Sequence, residues 1–362
     1  MMKQIYFFVG TTAELLKLFP VIRELELRKI DFKIITSGQT GINFDEVSLY
    51  IKKTKADIIL PGKTNDSSVF LFLLWALKTL FFGPFTLAKE FRNIDKSESW
   101  FIVHGDTVSS LIGAIIAKLF GLRLVHIESG LRSFDFLDPF PEELTRFLVA
   151  KLTDVHFCPN KWSLNNLAQE GGAKINAFQN TFIESLHFAL SRRSVAKLPG
   201  KKYFILITHR QEHVIFGKRQ NQRQVELILK NFPRKLICLF ITHSTTESFL
   251  KSVGFRFGFW RKRKVKFIPR LKYGEFVRLL KNAQFMVSDG GGNQEEAYYL
   301  GLPCLIIREH TERREGLGEN VVLAQNNEKI IMDFLRNYRN YKSKPVRSKI
   351  RPSKVIVDYL LK

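Results

Sequence analysis

The chain has 362 residues, 45% of them hydrophobic, and carries 57 Lys and Arg against 34 Asp and Glu, a net charge of +23. That length exceeds what one core usually serves, so two domains are expected, and the positive excess favours anionic partners such as nucleotide sugars or acidic lipid surfaces. With no zinc-finger spacing, recognition-helix dimer or RNA-binding aromatic motif, nucleic acid is set aside, and Cys158, Cys238 and Cys304, far apart in apolar sequence, read as core thiols rather than disulfides or metal ligands.

The first ten residues carry one lysine and an apolar strand ending at Gly10. They lack the longer apolar stretch and small-residue cleavage site of a signal peptide, so a cytoplasmic location is expected. Short apolar runs at 5–9, 32–36, 101–104, 122–127 and 155–157 read as buried strands, and the segments 13–28, 109–120 and 142–151 between them have helical length and period. A second set of strands follows at 203–208, 236–242, 265–268, 285–288 and 303–307, again with helices between. This alternation implies an α/β fold of two doubly wound, mostly parallel sheets, with ligand at the carboxyl ends of the strands. The expected division is 1–168, 169–340 and a basic C-terminal segment, 341–362, that packs back on the first domain.

One segment resists the scheme. Residues 69–77 form an uninterrupted apolar run, extended past Lys78 to Phe85. It is read as too short for a span of about 20 apolar residues. The readings left are a helix buried in the first core or under a dimer interface, and a helix that dips into an acidic membrane surface, helped by nearby lysines.

Small acidic motifs sit where strands should hand over to helices: His104-Gly105-Asp106-Thr107, Ile127-Glu128-Ser129-Gly130, Pro141-Glu142-Glu143 and, far downstream, Asp289-Gly290-Gly291-Gly292-Asn293-Gln294-Glu295-Glu296. Carboxylates at successive strand ends share one crevice and suggest proton chemistry, while consecutive glycines before a helix let backbone amides approach an anion. Each has a plainer alternative. Asp106 could cap the helix beginning there, Glu142 and Glu143 are favoured in any first helical turn, and His209 could be a core histidine.

In order and spacing these motifs, with Thr208-His209-Arg210 and Thr311-Glu312-Arg313, resemble those of the UDP-N-acetylglucosamine 2-epimerases over roughly residues 3 to 335. The resemblance implies two Rossmann-like domains facing a central cleft, the architecture of one large class of glycosyltransferases, and an isomerase that removes the C2 proton, expels UDP and reverses both steps. It makes Asp106, Glu128 and Glu142 the acid/base groups, with His209 in the catalytic set. His209 and Arg210 match the phosphate-contacting pair. Lys17, Phe276, Gly290, Gly291, Gly292, Glu296 and Arg313 match positions that hold the nucleotide. It implies a UDP-sugar substrate, a homodimer, and no metal or nicotinamide cofactor.

The chain departs from the family pattern near the diphosphate. Thr12 replaces an arginine in Gly10-Thr11-Thr12-Ala13-Glu14, Thr40 replaces a histidine after Gly38-Gln39, and Gly290 stands where a serine is usual. Two alternatives share the motifs: a hydrolysing 2-epimerase that releases free sugar and UDP, and a glycosyltransferase of the same fold. Retention of three carboxylates speaks against the transferase, which has no general need for a base at C2.

Overall fold

Parallel strands buried on both faces need continuous apolar runs rather than alternation, and β1 (Ile5–Val9, Ile-Tyr-Phe-Phe-Val) is buried at every position. In the computed structural model, which describes residues 3–62, 69–136, 139–192, 198–208, 218–242, 246–247, 250–251 and 254–362, it lies inside a seven-stranded parallel sheet. The other strands are β2 (Phe32–Thr36), β3 (Ile58–Ile59), β4 (Trp100–His104), β5 (Arg123–Ile127), β6 (Val155–Cys158) and β7 (Ala173–Asn176), in the order β3-β2-β1-β4-β5-β6-β7. A six-stranded parallel sheet is built from β8 (Tyr203–Ile207), β9 (Ile237–Thr242), β10 (Val265–Pro269), β11 (Met286–Ser288), β12 (Cys304–Ile306) and β13 (Val321–Leu323), ordered β10-β9-β8-β11-β12-β13.

Both orders reverse once, between β1 and β4 and between β8 and β11, which is the doubly wound arrangement expected from the sequence. At such a point neighbouring helices leave the sheet on opposite faces and open a crevice at the strand ends. The strands β3, β7 and β13 were not anticipated.

The chain divides into two compact units, one of Met1–Phe188 with Lys349–Lys362, the other of Ala189–Ser348. In the first, the last helix, Pro352–Leu360, is tied down by side chains: Trp100 Nε1 donates to the Leu360 carbonyl at 2.9 Å, and the Ser353 amide and hydroxyl both donate to Glu184 at 2.7 Å. Arg351 adds ion pairs to Glu24 and Glu184 at 2.9 and 3.2 Å.

The apolar run beyond residue 69 is one 20-residue helix, Val69–Ala88, here α2. By length and composition it could cross a membrane, so the expectation that it is too short is corrected. The buried-core reading holds for one face of the helix only. Trp75, Thr79, Gly83 and Leu87 form the buried stripe, whereas Phe70, Leu73, Leu77, Phe81, Phe82 and Phe85 are exposed. All three cysteines are buried and free, as expected of core thiols.

Candidate active site

The first unit gathers its charged groups at the β1/β4 reversal. Helix α1 (Thr12–Leu27) follows β1, and its N-cap Thr11 accepts from the Glu14 amide at 3.2 Å. One turn further on, Lys17 Nζ donates to both oxygens of Glu128, each at 2.9 Å, across 111 residues of sequence. Asn180 Nδ2 donates to the same carboxylate. Glu128 follows β5 directly and is 5% exposed. Its φ of 67° is left-handed, a conformation that costs of order 1–3 kcal/mol for a residue with a side chain and that clusters at functional sites. Two residues on, Gly130 has φ 82° and no room for a methyl group, since an added Cβ would lie 2.1 Å from the Ser163 carbonyl oxygen. The strand end is therefore fixed on both sides of the carboxylate.

Asp106 does not cap its helix. The N-cap of α3 (Val108–Leu119) is Thr107, whose hydroxyl accepts from the Ser110 amide at 3.1 Å. Asp106 instead pairs with Arg146, a buried arginine on α4 (Glu142–Leu152). The other arm of Arg146 donates to Glu143 at 3.0 Å. Glu143 is fully buried and also accepts from Arg132 Nε and from the amides of Ser133 and Phe134, at 2.5, 3.0 and 3.2 Å. It is a structural hub for the loop after β5. Glu142 is half-buried at the first position of α4, a turn ahead of Arg146.

Neutral groups line the same region. His104 Nε2 lies 3.8 Å from Glu128, yet burial drives the imidazole down to about 3, so it is uncharged. His126, held down to about 4 by burial, donates Nε2–H to the Gly105 carbonyl at 2.7 Å, which fixes its tautomer. Glu14 accepts from the Gly10 amide at 2.8 Å, and complete burial pushes its carboxyl up to about 7, with the negative charge of Asp106 also raising it. A small cavity of about 10 Å³, room for about one water, lies beside Glu128 and is lined also by Gln179, Asn180 and Thr181. Thr12 accepts the Asn43 amide at 3.0 Å and is buried.

In the second unit Gly290 is the N-cap of the helix Gly291–Leu300, with no side chain capping it. Ser288 shapes the turn: its hydroxyl accepts from the Gly290 amide at 3.0 Å and donates to Asn293 Oδ1 at 2.9 Å. Asn293 in turn donates to Glu296 at 2.8 Å. Gly291 cannot carry a side chain, because a Cβ would meet Glu312 Oε1 at 2.5 Å and Arg313 Nε at 2.8 Å. Arg313 pairs with Glu295 at 2.7 Å, and Arg308 with Glu312 at 2.8 Å, all four buried. Gln294 clamps the 311–315 loop, donating to the carbonyls of Arg313 and Glu315 at 3.3 and 3.0 Å and accepting from Thr311 at 2.8 Å.

The structure thus brings Lys17 to Glu128 and Asp106 close to α4, and it packs Gly290, Gly291, Glu296 and Arg313 around one helix start. Gly292 is the second residue of that helix. Phe276 is half-buried on the helix Tyr273–Asn282, against the core of the second unit. His209 and Arg210 lie outside the described residues. Sequence reading missed Asn180 and Arg146, and gave Gln294, Glu295 and Arg308 no role. The i, i+3 spacing of Glu143 and Arg146 was a signal for Arg146, and the glycine-rich motif was one for Gln294 and Glu295.

Comparison with known proteins agrees with this geometry. The family model described as UDP-N-acetylglucosamine 2-epimerase matches residues 92–352. A UDP-N-acetylglucosamine 2-epimerase of Methanococcus maripaludis is 32% identical over 337 residues, 88% of this chain and 87% of that protein. Among solved structures, the Methanocaldococcus jannaschii UDP-GlcNAc 2-epimerase in complex with UDP-GlcNAc and UDP superposes with a TM-score of 0.83 at 26% identity, covering 99% of both chains. The Neisseria meningitidis UDP-GlcNAc 2-epimerase bound to UDP-GlcNAc gives 0.82 at 25% identity, covering 99% and 100%. Sequence, fold and the placement of the strand-end carboxylates converge, and the chain belongs to the UDP-N-acetylglucosamine 2-epimerase family.

Proposed function

We propose that this protein is a UDP-N-acetylglucosamine 2-epimerase, an isomerase that interconverts UDP-N-acetylglucosamine and UDP-N-acetylmannosamine. The observation that carries the reading is that Asp106 and Glu128 follow the ends of the adjacent strands β4 and β5, each bound to its own cation, Arg146 and Lys17. In the forward step the C2–H and C1–O bonds break, a C1–C2 double bond forms, and UDP departs with the electron pair. The reverse step returns a proton to the other face of C2 and re-forms C1–O. Such a cycle needs acid and base groups placed on two sides of one carbon, and several carboxylates held by separate elements supply them.

Glu128 and Asp106 carry the proton transfers, with Glu142 from the start of α4 as the third member. They titrate as a coupled set. Lys17 and Asn180 orient Glu128, and Arg146 orients Asp106. The amides at Gly291 and Gly292 and the guanidinium of Arg313 hold the diphosphate, with Gly290 leaving the helix start open, where an uncapped terminus favours negative charge. Glu296 accepts the ribose hydroxyls, and Phe276, His209 and Arg210 complete the nucleotide grip. The working assembly is a homodimer.

Purified protein incubated with UDP-N-acetylglucosamine and followed by proton NMR should develop the signals of UDP-N-acetylmannosamine until the two reach a constant ratio. Free sugar and UDP in place of that product would mean that water captures the intermediate. Unchanged substrate would refute the reading.

A further inference from the structure

Helix α2 has two faces of opposite character. Trp75, Thr79, Gly83 and Leu87 recur every four residues on one of them and seat the helix against α3 and the first core. Trp75 Nε1 donates to the Ser37 carbonyl at 3.1 Å, and a Cβ on Gly83 would come within 3.3 Å of both Leu60 and Ile116. The other face is apolar apart from Lys78 and Thr86, and it is exposed among the described residues. Phe70, Leu77, Phe81 and Phe85 are 71, 66, 64 and 71% exposed, and Leu73 and Phe82 lie among them. Monomeric proteins rarely leave a contiguous apolar face of this kind to water.

The charges around that face are basic. Lys78 is the only ionisable residue between Val69 and Ala88 and is exposed at mid-helix. Beyond the C-terminal end Lys89, Arg92 and Lys96 are exposed too, while the nearest acid, Glu90, is taken by Lys33 and Tyr6 at 2.5 and 2.8 Å. A second copy fits this poorly. Two-fold packing of α2 on α2 brings one Lys78 toward the other, with no acid on the helix to neutralise them. A layer of anionic headgroups suits it well, since lysines reach phosphate while the aromatic and leucine side chains enter the acyl boundary.

We propose that the exposed face of α2 docks on an acidic lipid bilayer, with the helix lying in the interface plane and Lys78, Lys89, Arg92 and Lys96 facing the headgroups. The helix does not span, because crossing would strip Trp75 and Leu87 from the core and break the Trp75–Ser37 bond. The protein is thereby a peripheral enzyme held at a membrane surface through its first unit.

Sedimentation with phosphatidylcholine–phosphatidylglycerol vesicles at physiological salt tests this. The parent protein should pellet with them and bind phosphatidylcholine vesicles at least tenfold less tightly, as expected for about 1 kcal/mol per basic residue near an anionic surface. The double variant Phe81→Ser/Phe85→Ser, which alters only exposed side chains and should keep the parent's circular dichroism, should lose on the order of tenfold in partition per phenylalanine. Lys78→Glu/Lys89→Glu should lower partition onto the acidic vesicles alone. Parent protein left in the supernatant would overturn the proposal. So would a parent dimer that Phe81→Ser/Phe85→Ser splits while neither protein binds vesicles, because the face would then belong to a second copy.

Discussion

Lys17 Nζ sits 2.9 Å from each oxygen of Glu128, so α1 and the end of β5 share one charge pair beside a cavity. The ammonium has three protons, and two are committed to this carboxylate. Lys17→Met should therefore lower kcat, by about 10²-fold or more, before it weakens substrate binding. It should also move the acid limb of the kcat profile, which a purely structural lysine would leave in place. A variant with normal kcat and raised KM would assign Lys17 to the diphosphate alone.

The three carboxylates of the proton-transfer set should behave differently from Glu143. Asp106→Asn, Glu128→Gln and Glu142→Gln keep shape and lose proton transfer, so each should cost about 10²–10⁴ in turnover. Glu143→Gln leaves Arg132 and Arg146 without the charge they share, and breaking such a buried network costs about 3–5 kcal/mol. Chemical denaturation should show that loss for Glu143→Gln, and turnover should fall with it as Arg146 releases Asp106.

Gly291→Ala should abolish the nucleotide grip while sparing the first unit. Its methyl would lie 2.5 Å from Glu312 and 2.8 Å from Arg313, so the loop carrying Arg313 must move. Calorimetric titration with UDP should show affinity reduced by at least tenfold, and unchanged affinity would place the diphosphate elsewhere.

Stability should depend on pH in two opposed ways. His104, His126 and His156 have folded values of about 3, 4 and 4, below the usual 6.5, because burial disfavours their charge. Their contribution is whole above about 6.5 and is lost as pH falls toward those values. Each proton taken up on unfolding gives about 1.4 kcal/mol per pH unit. Thermal unfolding between about pH 6.5 and 4 should steepen accordingly, and His156→Gln should remove about one proton from the slope. Glu14, raised to about 7, runs the other way: its stability is present below 4.5 and lost as pH rises through 7. Glu14→Gln should therefore stabilise the protein by on the order of 2–3 kcal/mol at about pH 8, with no gain at about pH 4.

Much of this was legible from the sequence, for a physical reason. Strands buried on both faces are written as continuous apolar runs, so β1 and β2 were read to the residue. Carboxylates at strand ends were read as a set because the topology must bring them together. The rest depends on contacts that no local pattern encodes. Lys17 and Glu128 are 111 residues apart, and nothing around Lys17 tells it from a surface lysine. Arg146 looks like a charge on an amphipathic helix until Glu143 and Asp106 close around it. The apolar run of α2 gave its helix but not its exposure, since hydrophobicity states a preference for burial and not whether a partner exists. The grip expected of His209 and Arg210 falls outside the described residues.

The central claim is that Glu128 and Asp106 move the proton at C2. Incubation with UDP-N-acetylglucosamine in D₂O, read by proton NMR and mass spectrometry, tests it most directly. The parent protein should place deuterium at C2 of the product and, with time, of the recovered substrate, and Glu128→Gln should do neither. Product formed with its C2 proton retained from the substrate would contradict the account.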